Sequence, residues 1–476
     1  MFNEKEAEMN NTVKPKCGAR IDRLPTSKVQ WGLFGVVAFG LLVSWSNAIG
    51  GLVLAQLAEI GWTDNTLNAI FTSLTTAGMF LGALLGGMIG DRIGRRSSYL
   101  LFVGIHVISM FIGALSPNMT FLIVARFIMG FALGALLVTL FAGFTEYVPG
   151  KTRGSWSARA SFIGNWSYPI SSGIAMLIAP YVTANMNWRI QIVIPAVLST
   201  ILFVLVMRKF PESPRWLESQ GRYEEAEKVM TEIEKKTEEA TGEALPPIET
   251  DKEAPPQKKE TIKYSELFKG ELLKRVILGS FVLIAMNVVQ YTLINWLPTI
   301  FLSQGINLED SVLLNTMNMF GAPIGIFIGI FLIDRMPRKV FGPFLLIAMA
   351  ILGYIYSFQT SMAMISILGF FLMIFVYMYV MYASAVYVPE IWPTAAKLRG
   401  NGLANAVGRI SGILAPYAVA SLLDSAGATG VFTLLGGTAV VTAVIIVFFG
   451  VETRGASVEE IGNVDIKDED TVIKNN

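Results

Sequence analysis

The chain has 476 residues, of which 53% are apolar and only 15% charged, against about 25% charged residues in ordinary soluble domains. Its mean hydropathy is +0.54 and its net charge is +1, values that exclude a soluble enzyme and a disordered chain and give no basis for binding nucleic acid. One cysteine, Cys17, and one histidine, His106, exclude an internal disulfide and a metal site built from several such ligands. We therefore expect neither a metal nor a cofactor.

Twelve stretches of the sequence are long and apolar enough to cross a bilayer. A crossing helix needs about 20 mostly apolar residues, because lipid offers the backbone no hydrogen-bond partners. In the first half the predicted spans cover 31–55, 66–89, 97–115, 120–145, 158–184 and 191–207. In the second half they cover 275–302, 312–333, 340–358, 362–388, 400–423 and 428–449. The sequence therefore predicts an all-α integral membrane protein with twelve transmembrane helices.

The distribution of positive charge predicts the orientation, because cytoplasmic loops retain Lys and Arg. With both termini inside, 34 of the 37 Lys and Arg residues lie in or at the edge of inner segments, and Arg189 falls in an outer loop. The remaining two, Arg126 and Arg409, lie inside spans. We predict a multi-pass protein of the plasma (inner) membrane with both termini cytoplasmic.

One long break divides the predicted spans into two groups of six. It contains a charged amphipathic helix at 222–236 and a Pro- and Glu-rich stretch at 241–258. The predicted organisation is a cytoplasmic tail at 1–30, a six-helix half at 31–207, a cytoplasmic linker at 208–273, a second half at 274–450 and a cytoplasmic tail at 451–476.

Two motifs occur once in each half at nearly the same spacing. The loop after span two reads Gly87-Met-Ile-Gly-Asp91-Arg92-Ile-Gly94-Arg95-Arg96, and Asp334-Arg335-Met-Pro337-Arg338-Lys339 follows span eight, with the two aspartates 243 positions apart. Glu146-Tyr-Val-Pro149 ends span four and recurs 244 positions later as Glu390-Ile-Trp-Pro393, ending span ten; Arg153 and Arg399 follow the two copies. Two independent motifs at one offset indicate an internal duplication.

These motifs resemble the signature of the major facilitator superfamily of secondary transporters. The first copy matches at every position, whereas the second has Pro337 in place of a Gly and its leading Gly displaced to Gly329. The branch shared by sugar porters and organic-ion transporters is indicated by Pro211-Glu-Ser-Pro-Arg-Trp-Leu217, by Arg126 with Gly130 and by Glu452-Thr-Arg-Gly455. The resemblance covers residues 30–461 and implies two pseudo-symmetric six-helix halves that move a small organic solute by alternating access.

Span seven differs from that of the sugar porters, which usually carry a Gln-Gln pair there. This chain reads Asn287-Val-Val-Gln290-Tyr291-Thr-Leu-Ile-Asn295-Trp296-Leu-Pro298. With Asn405 and Arg409 in span eleven, the pattern is similar to bacterial metabolite, aromatic-acid and niacin transporters. The resemblance favours a carboxylate-bearing metabolite, with a sugar or polyol as the alternative and a non-transporting nutrient sensor as a remote one. No nucleophile, base and orienting group occur together, so we do not expect an enzyme.

Charged residues at the predicted cytoplasmic ends of the spans are candidate gate residues. Breakable ion pairs suit a gate, because the alternate states of a transporter differ by only about a few kcal/mol. We expect these residues to pair across helices while the inner gate is shut and to separate when it opens. The set comprises Gly87, Asp91, Arg92, Gly94, Arg95, Glu146, Arg153, Glu212, Arg215, Asp334, Arg335, Arg338, Glu390 and Arg399.

Two arginines predicted near mid-membrane are candidate substrate residues. A cation there costs ~2.5–3.5 kcal/mol on lenient insertion scales, so it needs a partner. In related proton symporters the arginine matching Arg126 pairs with an acid in span one, but Ser46 stands in that place here. Arg409 suits a substrate carboxylate; the alternative is an arginine held by carbonyls and tyrosines of the helix packing.

Polar and aromatic side chains complete the predicted site. Asn47 and Gln290 are 243 positions apart, so the duplication places them as a pseudo-symmetric pair on spans one and seven. His106 in span three is expected to be packed or hydrogen-bonded. Hydrogen-bonding and stacking surfaces are added by Asn165, Trp166, Tyr291, Trp296, Tyr379 and Tyr382.

The expected partners are the solute and the lipid bilayer. Whether a proton is coupled to transport is left undecided by the sequence, and we expect a monomer.

Overall fold

The computed structural model of the protein describes residues 15–42, 45–248, 263–393 and 396–454, and no strand occurs in these ranges. The helices of the first half are Cys17–Asp22, Lys28–Leu42, Trp45–Ala48, Gly50–Glu59, Asn65–Ile93, Arg95–Ala114, Met119–Thr145, Arg153–Asn165, Ser167–Ile178 and Ala184–Lys209, with a 3₁₀ turn at Ala179–Tyr181. The linker contributes Pro214–Ser219, Tyr223–Thr241 and a 3₁₀ turn at Tyr264–Phe268. The second half contains Gly270–Ser303, Leu308–Met319, Gly321–Ile333, Arg338–Ser357, Met362–Met381, a π-helical segment at Tyr382–Tyr387, Val388–Glu390 and Lys397–Phe449.

Ten helices in the described residues are long and apolar enough to cross a membrane. Predicted span five is not among them, because it consists of two shorter helices that meet at Trp166. Predicted spans eleven and twelve form one of the ten, Arg399–Phe449. At 1.5 Å per residue its 51 residues would reach about 76 Å, far beyond a ~30 Å bilayer core. Gly427, at φ 62° and ψ −158°, interrupts this helix near the predicted boundary. The count of twelve stays a prediction, and the spans keep their predicted numbers below.

Local chemistry fixes several helix ends. The side chain of Asp64 accepts a hydrogen bond from the Leu67 amide at 2.7 Å and starts span two. Asn118 caps span four in the same way, at 2.9 Å from the amide nitrogen of Phe121. Spans two and three are separated by Gly94, whose φ of 99° favours glycine.

The three largest clusters of buried apolar residues each belong to one half, whereas two small clusters join the halves. One large cluster draws only on residues between 267 and 446, and two others draw only on residues between 17 and 233. We call the end of the bundle that carries both signature loops the motif end, and the opposite end the far end. The limits of the predicted domains stay a prediction; residues 1–14, 249–262 and 455–476 of the predicted tails and linker lie outside the described residues.

At the motif end, the short helix Cys17–Asp22 docks on the linker helix Tyr223–Thr241. Arg20 pairs with Glu227 at 2.5 Å and with Glu234 at 2.6 Å. Arg23 adds a second cation to Glu234, also at 2.6 Å. The linker helix covers all but the first residue of the amphipathic helix predicted at 222–236, extends five residues further and is held against the amino-terminal helix.

Candidate substrate site and gates

The first signature loop forms an ion-pair cluster within the first half. Arg95 lies 2.7 Å from Asp91 in span two and 2.9 Å from Glu146 at the end of span four. Glu212, from the motif after span six, accepts the amide of Arg95 at 2.6 Å and that of Arg96 at 3.0 Å. Helix N-termini stabilise a carboxylate in this way. The cluster therefore joins the ends of spans two, three and four to the segment that follows span six.

The second half repeats this cluster with its own residues. Arg338 lies 3.1 Å from Asp334 and 3.4 Å from Glu390. Glu452 accepts the amides of Arg338 at 3.0 Å and Lys339 at 3.1 Å, as Glu212 does in the first half. Burial acts to raise the pKa of Glu452, but hydrogen bonds from backbone amides, including that of Arg338, bring it below its ordinary value. Glu452 is a cluster residue that the set predicted from the sequence omitted, although its offset of 240 from Glu212 could have indicated it.

The other candidate gate residues lie around these clusters with different contacts. Arg153 lines a cavity of about 330 Å³ together with Glu146 and Arg215, and Arg215 lies 3.2 Å from Asp22. Arg399 stacks over the ring of Tyr264, 5.0 Å from its centroid. The remaining three are Gly87, whose position tolerates a Cβ, Arg92, which is exposed, and Arg335, whose carbonyl accepts from Arg454.

The far end joins the two halves through polar side chains and close backbone contact. A Cβ on Gly51 in span one would lie 2.6 Å from the carbonyl oxygen of Asn295 in span seven, so only glycine permits this approach. Further contacts between the halves join Ser172 with Thr316 at 2.9 Å, Asn315 with Ser172 at 2.9 Å, Asn65 with Asp424 at 2.5 Å and Ser73 with the carbonyl of Ile413. The far end is therefore closed in this structure, while the charged clusters of the motif end pair within each half.

Arg126 is buried in the first half, with 2% of its surface exposed. Its Nη1 donates to the carbonyl oxygen of Ser46 at 2.7 Å, and its guanidinium lies 4.8 Å from the ring centroid of Phe71. The hydroxyl of Ser46 meets Nε2 of His106 at 2.9 Å, and Nδ1 of His106 meets Ser199 at 3.0 Å. This confirms His106 as a buried, hydrogen-bonded side chain. It also places Ser46 beside Arg126, at the position predicted for the missing acid.

A group of tyrosines lies between the halves near mid-membrane. The ring centroids of Tyr168 in span five and Tyr377 in span ten are 5.5 Å apart. Gln290 and Tyr291 of span seven interact electrostatically with this pair. The hydroxyl of Tyr377 is buried beside the side chains of Gln290 and Tyr168. Sequence reasoning missed Tyr168 and Tyr377, since nothing in span ten distinguishes Tyr377 from its neighbouring tyrosines.

Arg409 lies on a polar stripe of span eleven. Asn401, Asn405 and Arg409 are spaced four residues apart, so they share one helix face. Asn405 donates to Asn401 at 2.9 Å. The guanidinium of Arg409 is half-buried and makes no hydrogen bond or ion pair with any other described residue. On the adjacent face, Gly408 and Gly412 pack closely against Asn287 and Tyr291 of span seven.

Several predicted site residues are engaged elsewhere. Tyr382 is fully buried and donates to the carbonyl of Arg338 at 3.0 Å, so it belongs to the motif-end cluster and we remove it from the site. Tyr379 donates to Val282 within the second half. Trp296 packs at the far end against Ala69 and Val419.

In the part of the chain that the structure describes, no hydrogen bond or ring contact joins Asn165, Trp166 or Asn47 to Tyr168 or Tyr377. Asn165 donates to the carbonyl of Ser161 in its own helix. Trp166 is 36% exposed and its ring lies 6.5 Å from that of Phe162. Asn47 is buried, and no hydrogen bond joins it to Gln290 in the part of the chain that the structure describes.

Two helical halves with paired signature clusters, one closed end and polar groups between them define the architecture of a secondary transporter. Residues 27–464 match the family described as sugar (and other) transporters, and the chain belongs to that family. It is 64% identical over 455 residues to the putative metabolite transport protein YdjK of Escherichia coli K12, covering 95% of this chain and 98% of that protein. It is 28% identical over 458 residues to the niacin transporter NiaP of Acinetobacter baylyi, covering 93% and 99%.

The fold has a counterpart among solved structures. The crystal structure of a D-xylose-proton symporter aligns with a TM-score of 0.69 at 18% identity, covering 91% of this chain and 100% of that one. The major facilitator fold predicted from the signature loops is thereby confirmed. The chain is a multi-pass membrane transporter of a small solute.

Proposed function

We propose that the protein carries a carboxylate-bearing metabolite through a site between its halves, formed by Arg409, Gln290, Tyr291, Tyr168 and Tyr377. The observation that carries the proposal is Arg409, a half-buried residue whose guanidinium has no partner among the described residues. A cation within a membrane span needs a counter-charge, and a planar guanidinium can hold a carboxylate through two hydrogen bonds. The tyrosines offer rings for stacking and hydroxyls for hydrogen bonds. Niacin is itself a pyridine carboxylic acid, so the relative NiaP supports this class.

A sugar or polyol is the second candidate. Gln290, Asn405 and the buried Tyr377 hydroxyl are neutral hydrogen-bonding groups of the kind that bind hydroxyls. Uptake into proteoliposomes containing the purified chain, with labelled aromatic acids, aliphatic hydroxy acids, hexoses and polyols, separates the two classes. We expect saturable uptake of at least one acid, inhibited by other acids. Saturable sugar uptake without any acid uptake would reject the carboxylate proposal. Absence of uptake for every solute tested would favour the non-transporting nutrient sensor.

The predicted orientation, with the motif end cytoplasmic, follows from the clustering of Lys and Arg. This conformation would then be closed to the outside. Replacing Asn118, in the loop between spans three and four at the far end, by cysteine in a Cys17→Ala background provides the test. We expect a membrane-impermeant maleimide to label Asn118→Cys in intact cells; labelling only after lysis would reverse the orientation.

We infer that the chain does not couple a proton through an acid beside Arg126, because among the described residues Arg126 donates to the carbonyl of Ser46, next to the hydrogen-bonded pair His106–Ser199. The hydroxyl proton of Ser199 is donated to the carbonyl of Pro195 at 2.6 Å, so Ser199 accepts from Nδ1 of His106. Uptake under an imposed pH gradient tests whether another group carries a proton.

We infer that the protein works as a monomer, since both clusters and the proposed site are formed by one chain.

A further inference from the structure

A cavity of about 680 Å³ lies at the motif end, on the flank of the first half and away from the tyrosine group. Its walls are the first turns of span one, the last turn of span six and one face of the linker helix Tyr223–Thr241. Span one begins and span six ends here, so the cavity sits where the apolar helices meet the polar surface. It contains none of the residues of the proposed substrate site.

Positive charge is concentrated on the walls of this cavity. The five cations that line it are Lys28, Arg96, Arg208, Lys209 and Lys236. The two acids, Glu212 and Glu232, are engaged: Glu212 accepts the amides of Arg95 and Arg96, and Glu232 pairs with Lys236 at 2.6 Å.

Three cations therefore remain uncommitted. Lys28, Arg208 and Lys209 are exposed and make no ion pair with any other described residue. They project from two different spans into the same space. Several cations converging from separate elements provide a binding site for a phosphate group, which accepts charge-assisted hydrogen bonds from each of them.

The same cavity continues into an apolar surface. Gly32 and Gly35 of span one are exposed, and a Cβ on either would meet nothing within 4 Å. Val29, Leu205 and Val229 flank this open strip. A soluble anion would use only the cations, whereas an amphiphile with a charged head and an acyl chain would use both parts.

We propose that this cavity binds an anionic membrane phospholipid, with its phosphate held by Lys28, Arg208 and Lys209 and one acyl chain along Gly32 and Gly35. Burying the chain on span one adds hydrophobic stabilisation to the charge contacts. The bound lipid would connect spans one and six to the linker helix, and so couple the motif end to the composition of the membrane. This proposal does not depend on which solute is transported.

The test compares thermal stabilisation of the purified full chain by lipids added to neutral detergent. The probes are phosphatidylglycerol, phosphatidylcholine, glycerol phosphate and inorganic phosphate. We expect half-maximal stabilisation by phosphatidylglycerol at a concentration about tenfold or more below that of phosphatidylcholine. The triple variant Lys28→Gln, Arg208→Gln, Lys209→Gln should lose this preference. The control variant Lys228→Gln, Lys235→Gln, Lys263→Gln removes the same charge from the same end of the molecule but not from the cavity, and should keep it.

The variant Gly35→Leu tests the acyl strip separately, because it fills the strip and leaves every cation in place. We expect it to weaken phosphatidylglycerol binding while glycerol phosphate binding is unchanged. Native mass spectrometry of the wild-type chain in mixed lipids supplies a readout that needs no variant: phosphatidylglycerol should be retained over phosphatidylcholine. Equal retention of the two lipids, or equal stabilisation by phosphatidylglycerol and inorganic phosphate, overturns the lipid site.

Discussion

The guanidinium of Arg126 in span four donates a 2.7 Å hydrogen bond to the backbone carbonyl of Ser46 in span one. It lies where the resemblance to proton symporters predicts an arginine–carboxylate pair. The side chain is 2% exposed, and its Nε has no partner within the described residues. A buried cation with one neutral acceptor is poorly compensated, since desolvation of a charge costs several kcal/mol. A cation buried at this cost points to a role in transport rather than in stability.

Arg126→Met tests this conclusion. Methionine fills a similar apolar volume and removes the desolvated charge, so the melting temperature should fall by no more than about 3 °C. Transport should fall about tenfold or more. The charge-retaining Arg126→Lys variant serves as the control and should keep part of the activity. A large loss of stability, with normal transport by the protein that remains folded, would show that Arg126 is a packing residue.

Closure of the far end depends on the approach of Gly51 to Asn295. Gly51→Ala would place a methyl group 2.6 Å from the Asn295 carbonyl, and overpacking of this kind costs about 1–3 kcal/mol. Because the penalty applies only while the far end is closed, the equilibrium should shift about tenfold towards far-end opening and transport should slow. Gly437→Ala in span twelve is the matched control, since a Cβ there meets nothing within 4 Å. Equal transport by the two variants contradicts the gate.

Arg409→Gln should strongly reduce carboxylate uptake while the folded protein is retained. A hydrogen bond to a charged group contributes about 1.5–3 kcal/mol, so uptake at low substrate concentration should fall about ten- to hundredfold. Arg409→Lys retains the charge but lacks the planar guanidinium, so its uptake should lie between that of the wild type and that of Arg409→Gln. Tyr417→Phe, on an exposed face of the same span, should behave as wild type. Unchanged uptake in Arg409→Gln removes this residue from the site.

The sequence predicted the features that repeat or that depend on hydropathy. The signature clusters follow from two motifs at one offset, and the structure adds Arg338–Glu390 as the counterpart of Arg95–Glu146. The same reasoning could not show which tyrosines of span ten lie in the proposed substrate site. Tyr377, Tyr379 and Tyr382 lie in one predicted span and are all buried, and only the packing shows that Tyr382 contacts Arg338 while Tyr377 contacts Tyr168.

The amino-terminal helix is held at the motif end by partly buried ion pairs, and Cys17 reports on this contact. Cys17 is the single cysteine of the chain, and it is fully buried. Burial and the nearby carboxylate of Glu218 raise its pKa to about 12. Arg20→Ala removes the cation shared by Glu227 and Glu234, so the helix should undock more often and maleimide should label Cys17 about tenfold faster. Arg222→Ala removes an exposed pair with Glu225 and should leave the labelling rate unchanged. Equal rates in the two variants would show that the ion pairs do not hold the helix.

Acid should release the same helix. Burial acts to raise the pKa of Glu234, but hydrogen bonds from Arg20 and Arg23 bring it below the ordinary value of 4.5. A carboxyl whose pKa is lower in the docked state stabilises docking fully above about pH 4.5, and the contribution is lost as the pH falls below that value. Labelling of Cys17 by a pyridyl disulfide, which reacts with thiols in acid, should therefore rise below pH 4.5. In Glu234→Gln the labelling should be fast at every pH, because the charge is absent throughout. A wild-type rate that stays flat through this range would contradict the assignment of Glu234 as the group that holds the helix.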